Sequence, residues 1–224
     1  MNMNLNLAEK VNKQAAQKLL KSLRYSLYVI THPFDGFWDL THEKRGSLAA
    51  AHILVALTFM TNLWSLRYTS IIFNQVLWDK INIWRQILGI LGPLIIYCAA
   101  NWCLTTLFDG KGRFTDIYIG TAYALTPYIL IENIVTIVSN VLTREEGAFL
   151  GYFENLALVW CGFLILASVM QIHDYSLGKA IFAIIASVAG MMIIVFLLML
   201  FFSLITDGIA YFVSIYKEIV FRVY

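Results

Sequence analysis

The sequence predicts an all-α, polytopic integral membrane helix bundle with about five transmembrane helices and an amphipathic amino-terminal helix. Composition is the first reason: 60% of the 224 residues are hydrophobic and only 13% are charged. A soluble domain carries about 25% charged residues, and the mean hydropathy here is +0.72. The second reason is five long apolar segments, each able to span about 30 Å of hydrocarbon at 1.5 Å rise per residue. The third is the cost of unpaired backbone groups in lipid, which leaves helix as the economical conformation for such runs. A formal charge of +2 gives no electrostatic case for nucleic-acid binding.

Residues 1–30 read as a cytoplasmic amphipathic helix. Ala8, Val11, Ala15, Leu19, Leu23 and Leu27 recur at helical spacing, with Lys10, Gln14, Lys18 and Lys21 mainly away from that stripe. Such a helix can lie on an anionic leaflet or dock into a partner groove. A cleaved signal peptide would place an apolar run just after a short basic start. None is found there, so the amino end is expected to be retained.

Residues 31–47 form a distinct pre-membrane segment. Phe34, Phe37 and Trp38 supply aromatic bulk just before a span and are read as an interfacial anchor, with Asp35 and Asp39 between them near Lys44 and Arg45. Pro33 and Gly36 argue against a simple continuous helix.

Residues 48–206 are read as the five-helix transmembrane domain. Its spans are placed at Leu48–Leu66, Gln86–Leu107, Ile117–Leu142, Ala148–Gln171 and Ala180–Ile205. Asn101 and Trp102 interrupt the second span. In the third, Pro127 removes one helical hydrogen bond and crowds the Tyr123 carbonyl, so a kink is expected. Between the first two spans, Trp78, Ile81, Ile83 and Trp84 suit an interfacial stretch. Residues 207–224 are expected to be an extracytoplasmic amphipathic tail.

Lys and Arg set the orientation. Seven precede the first span, and the next four connections hold three, two, one and one, leaving two in the tail. With the amino end inside, ten basic residues are cytoplasmic and six are not. The expectation is a multi-pass protein of a bacterial plasma membrane, amino end cytoplasmic and carboxyl end outside.

Chemistry-bearing patterns are few. Cys98, Cys103 and Cys161 lie in apolar stretches and form neither a disulfide framework nor a zinc motif. His32 and His42 lack further ligands at a recognised spacing. The Asp109-Gly-Lys-Gly-Arg-Phe114 stretch lacks the Lys-Ser/Thr ending of a phosphate-binding loop and reads as a tight turn. No His-Glu-x-x-His and no Gly-x-Ser-x-Gly is found. A non-catalytic protein with no metal and no cofactor is expected.

Glu132, followed by Asn133, lies inside the third span, and Glu154, followed by Asn155, inside the fourth. A charge at mid-span costs about 2.5–3.5 kcal/mol, so such residues face protein or water and are often functional. One reading is a proton- or cation-coupled pathway. The other is two helices held together by Glu/Asn hydrogen bonds, or such bonds to a partner subunit, with the acids protonated. Gly147-x-x-x-Gly151 and Ala186-x-x-x-Gly190 have the small-residue spacing that permits close helix approach, which favours assembly.

The Asp109-Gly-Lys-Gly-Arg-Phe114 turn leading to Thr121-Ala-Tyr-Ala-Leu-Thr-Pro127 resembles the core of the Yip1 family, in its bacterial branch. The His32-Pro-Phe-Asp-Gly-Phe-Trp-Asp-Leu40 segment, ending in Glu43-Lys-Arg-Gly-Ser47, resembles the pre-membrane region of Firmicute members. The resemblance implies a five-helix membrane domain with a cytoplasmic amino end. The Asp-Leu-Tyr-Gly-Pro-type motif of eukaryotic relatives, which bind Rab-type GTPases, is not found here. Bacterial look-alikes accompany permeases of carbohydrate ABC importers.

The resulting expectation is a non-catalytic accessory or scaffold subunit of a larger membrane complex, a carbohydrate ABC importer by resemblance, with membrane lipids and ABC permeases as partners. The alternatives are a small-solute or ion transporter using Glu132 and Glu154, or a self-associating membrane-shaping protein.

Overall fold

The structure, a computed structural model, describes residues 2–74 and 81–223, with side chains for 16–74 and 81–222. Trp78 and Lys80, and the side chains of Ala8, Lys10, Val11, Lys13, Gln14 and Ala15, lie outside the described residues. Two helices, α1 (Asn2–Thr31) and α2 (Pro33–His42), precede the membrane domain. Five helical stretches are long and apolar enough to cross a membrane: α3 (Leu48–Tyr68), α4 (Ile83–Leu107), the pair α5 (Phe114–Ala124) and α6 (Thr126–Val138), α7 (Ala148–His173), and α8 (Leu177–Val223). The protein is therefore a helical multi-pass membrane protein.

Local chemistry explains most boundaries. Ser47 caps α3 by accepting the Ala50 N–H at 3.1 Å, and Asn82 caps α4 through Arg85 N–H. Pro33 opens α2 at its first turn, where no N–H is needed. At Leu125 the third span breaks. Pro127 cannot donate to the Tyr123 carbonyl, and the Thr126 hydroxyl donates to it instead at 2.7 Å. The kink expected at Pro127 is thus a break between two helices with its orphaned carbonyl satisfied.

The fifth span departs from expectation. Helix α8 continues without interruption through residues 207–223, since no proline follows Ile205 and one interior Gly208 costs only about 1 kcal/mol. At 47 residues it is about 70 Å long, more than twice the thickness of a hydrocarbon core.

The α5–α6 pair is the centre of the bundle. Gly120, Thr121, Ala122 and Ala124 are buried, and their small size lets neighbouring backbones approach. Helix α7 packs along both α5 and α6, α3 packs against both from another side, and α4 lies on α5. Helix α8 is outermost, resting mainly on α4. The largest core cluster joins Leu54 of α3, Tyr123 and Ile129 of the third span, and Leu164 and Ala167 of α7, to Val29, Phe37 and Leu40 of the pre-membrane helices. One end of the bundle, here the near end, gathers α1, α2, the 109–113 turn and the starts of α3, α5 and α8. The far end carries the 69–74 turn and the start of α7.

Two pre-membrane expectations are corrected. Phe37 is not an interfacial anchor: it is fully buried (0% exposed) in the core cluster, whereas Phe34 and Trp38 stay 43% and 45% exposed. Ten residues of helix present about three faces, and the one bearing Gly36, Phe37 and Leu40 is pressed inward because α2 packs on α7. Gly36 permits this, since a Cβ there would stand 3.1 Å from the Val29 Cα of α1. Similarly, Leu27 does not belong to the buried stripe of α1. It is 49% exposed, while Ser22, Ser26 and Val29 are buried and Leu19 and Leu23 pack on the core. Ser22 finds polar partners there, and Ser26 donates to the Leu23 carbonyl of its own helix.

Candidate functional site

Three polar assemblies occupy a mostly apolar bundle. The first lies toward the far end, where the sequence places the acidic residues. Glu132 of α6 is buried at 7% exposure and accepts a 2.6 Å hydrogen bond from the Ser65 hydroxyl of α3. Next to it, the Asn133 amide donates to Thr61 Oγ1 of α3 at 3.0 Å and to its own helix at Ile129 O. Two turns on, just past the end of α6, Asn140 donates to the carbonyls of Tyr68 and Thr136. Polar residues in apolar surroundings are thereby satisfied in pairs.

The helices these bonds hold together are α3 and α6. Glu132 and Asn133 tie the third span to the first, not to the fourth. Asn155 is exposed and donates only to Gly151 O of its own helix. Glu154 is exposed and, with Ser65, Thr69 and Asn74, lines a far-end cavity of about 380 Å³. Ser65 is therefore the element common to both acids, bonded to Glu132 and bordering the cavity that Glu154 enters.

The small-residue positions diverge in role. Gly147 is covered by the Phe73 ring of the 69–74 turn. Gly190 packs inside the chain, since a Cβ there would meet Leu104 Cδ1 at 3.0 Å and Ala100 Cβ at 3.5 Å on α4. Its expected contact with a partner is replaced by one with α4. Gly151 has no atom within 4 Å of where a Cβ would stand, because it borders the far-end cavity with Glu154.

The second assembly was not anticipated. His173, at the end of α7, is 1% exposed. Its Nδ1 accepts the Gly112 backbone N–H at 3.2 Å, which leaves Nε2 protonated to donate to Asn101 Oδ1 of α4 at 3.2 Å. Asn101 Nδ2 donates to Ser187 Oγ of α8 at 3.1 Å, and Ser187 donates to the Ala183 carbonyl. One buried chain of hydrogen bonds thus joins the 109–113 turn, α7, α4 and α8.

The glycines of that turn are required by proximity and not by dihedral angle. Neither glycine has positive φ, and the left-handed residue is Asp109 at φ 57°. A Cβ on Gly110 would stand 2.7 Å from His173 Nδ1, and one on Gly112 the same distance from His173 Cε1. Outside the spans, Lys111 closes the turn with an ion pair to Asp174 at 2.9 Å. That hydrogen bond holds the Asp174 carboxyl below the usual carboxylate range. The sequence signal for this assembly was the interrupting Asn101. A polar residue in a span needs a partner, but nothing in the sequence names His173 and Ser187, 72 and 86 positions away.

A third polar contact fixes α1 to the bundle. Ser22 Oγ and Tyr123 OH are 2.7 Å apart, and Ser22 Oγ also donates to the Arg45 carbonyl. Tyr25 donates to Asp39 of α2 at 2.8 Å. Burial, followed by this bond to a carboxylate, raises the Tyr25 phenol above its ordinary value.

What these groups do is join helices. They bond mostly to one another and close the bundle at both ends. Against known proteins, neither the curated proteins nor the solved structures include one that matches the chain. A family model described as the Yip1 domain matches residues 27–205, from the last turn of α1 into α8 as far as Ile205. That match takes in most of the sequence and all five spanning helices, and the chain belongs to the Yip1 family.

Proposed function

We propose that the protein is a non-catalytic accessory or scaffold subunit of a larger membrane complex, held in the plasma membrane of a bacterium with its near end cytoplasmic. The observation that carries this reading is the free half of α8. From Met192 onward nearly every large apolar side chain on it is exposed, and the helix is about 70 Å long against about 30 Å of hydrocarbon. Lipid can cover only part of that surface. Beyond the bilayer, Ile209, Phe212, Tyr216 and Ile219 still present an apolar face opposite Asp207, Ser214, Lys217 and Arg222. A partner membrane subunit is the cover that fits such a face. The resemblance to bacterial members of the family makes a carbohydrate ABC importer, and its permeases, the partner proposed.

The test is affinity purification of the tagged chain from native membranes in mild detergent, followed by mass spectrometry. Importer subunits are expected at stoichiometric yield. Gly151→Leu is tolerated by the isolated chain, because the space around Gly151 is the open far-end cavity, and it obstructs a neighbour that enters there. Gly190→Leu is not, since it would displace α4. Trp38→Ala tests the exposed ring of α2. Unchanged co-purification with both Gly151→Leu and Trp38→Ala would overturn this version.

A second reading, a small-solute or ion transporter, is favoured by the far-end cavity that brings Glu154 to Ser65 beside Glu132. It requires pH-dependent uptake into liposomes that disappears with Glu132→Gln.

A further inference from the structure

Where α1 passes the loop before the first span, the two enclose a pocket of about 630 Å³ at the near end. Four cations line it: Lys18 and Lys21 from α1, and Lys44 and Arg45 from the loop. Arg45 is engaged, by Asp39 at 3.1 Å and by Glu43. No ion pair joins Lys18, Lys21 or Lys44 to another described residue. Glu43 is the acid in the lining, and Arg45 neutralises it. Three lysines without an ion partner among the described residues therefore line one concavity, whose balance stays positive with both Glu43 and Asp39 counted.

The pocket is built and not incidental. Its floor is Ser22, 6% exposed, whose hydroxyl is shared by Tyr123, the Arg45 carbonyl and Ser47 Oγ at 2.7, 3.1 and 3.3 Å. These bonds hold α1, the loop and α5 in one register. Lys44 is kept in the left-handed region at φ 50°, a conformation costly for a residue other than glycine. Gly46 and Ser47 complete the wall, so the amino end of the 21-residue α3 adds the positive pole of its dipole.

Depth identifies the ligand chemistry. Ser47 is the cap of a membrane-spanning helix, so the pocket lies where the chain leaves the hydrocarbon, at the level of lipid phosphates. We propose that this pocket binds a phosphate group, that of an anionic phospholipid headgroup in the leaflet facing the near end. Lys18, Lys21 and Ser22 precede residue 27, where the family match begins, so the site belongs to this chain's own amino-terminal helix. It does not depend on the accessory-subunit reading.

The test uses the full chain, with native mass spectrometry after release from nanodiscs of phosphatidylcholine containing phosphatidylglycerol. One phosphatidylglycerol per chain should be retained in preference to phosphatidylcholine. Combined Lys21→Gln and Lys44→Asn should weaken retention at least about tenfold, from the worth of each basic residue near an anionic surface. Asn tolerates the left-handed backbone at 44, and both side chains are exposed, so the variant should keep the wild-type melting temperature. Lys217→Gln, which removes a positive charge from exposed α8, is the control for charge loss away from the pocket and should retain lipid normally. A lipid not displaced by millimolar inorganic phosphate identifies a headgroup site. Displacement by inorganic phosphate, lost in the double variant, keeps the phosphate site and replaces the lipid by a soluble phosphate. Retention unaffected by the double variant, or reduced equally by Lys217→Gln, would overturn the proposal.

Discussion

A 2.6 Å hydrogen bond from Ser65 to Glu132 is one of those that join the first span to the third. Removing the donor leaves a buried carboxyl short of a partner, which costs about 1–3 kcal/mol. Ser65→Ala should lower the melting temperature in detergent, and Glu132→Gln, which keeps an acceptor for Ser65, should lower it less; the reverse order would refute this role for the pair. His173 is a stronger case because both ring nitrogens are used. His173→Ala leaves the Gly112 N–H and Asn101 Oδ1 unpaired at about 1–3 kcal/mol each. Hydrogen exchange at the Gly112 amide should accelerate in that variant while exchange in α3 is unchanged. Equal acceleration in both places would mean the whole bundle had loosened instead.

Between elements, packing of α5 on α7 depends on Gly120. A Cβ at that position would overlap the Ser168 hydroxyl and stand 2.7 Å from Ile172 Cδ1. Gly120→Ala should destabilise by about 1–3 kcal/mol through overpacking. Adding Ser168→Gly should recover part of the loss, a non-additivity readable in a double-mutant cycle; strict additivity would show that the two helices do not meet there. The near-end turn also has an acid-sensitive clasp. Because Asp174 titrates below the usual carboxylate value through its bond to Lys111, its contribution is present above that usual value and fades as pH falls through the lowered one. The pair is exposed, so the effect is at most about 1 kcal/mol and is screened by salt. Asp174→Asn should flatten the acid side of the stability curve at low salt, and an unchanged curve would exclude the clasp.

At the scale of the molecule, an odd number of crossings, if all five helices span, puts the two termini on opposite sides of the bilayer. Reporter fusions after Met1 and Tyr224 should give opposite accessibility, and agreement between them would require one of the five helices to lie outside the membrane. The bundle is centred on the third span and leaves α8 at its edge. Partner binding should therefore be separable from folding: a chain ending after Thr206 should insert and resist proteolysis as the full chain does, while losing its partner.

The sequence alone determined that this is a helical membrane protein of five spans, because hydropathy and helical rise are local quantities that need no knowledge of neighbours. Pro127 was legible for the same reason, since the ring removes a hydrogen bond wherever it sits. The Yip1 resemblance was legible in the turn and pre-membrane motifs, and the family match bears it out. Only the tertiary structure decided which face of each helix turns inward. Phe37 and Trp38 are adjacent aromatics of similar hydrophobicity, yet one is core and the other exposed, because α7 covers one side of α2. Glu132 bonds to α3 and not to α7, and His173 finds Asn101 and Ser187. A polar group in a dry bundle must pair with whatever the packing brings within about 3 Å, and residues 67, 72 or 86 positions apart are brought together only by the packing of whole helices.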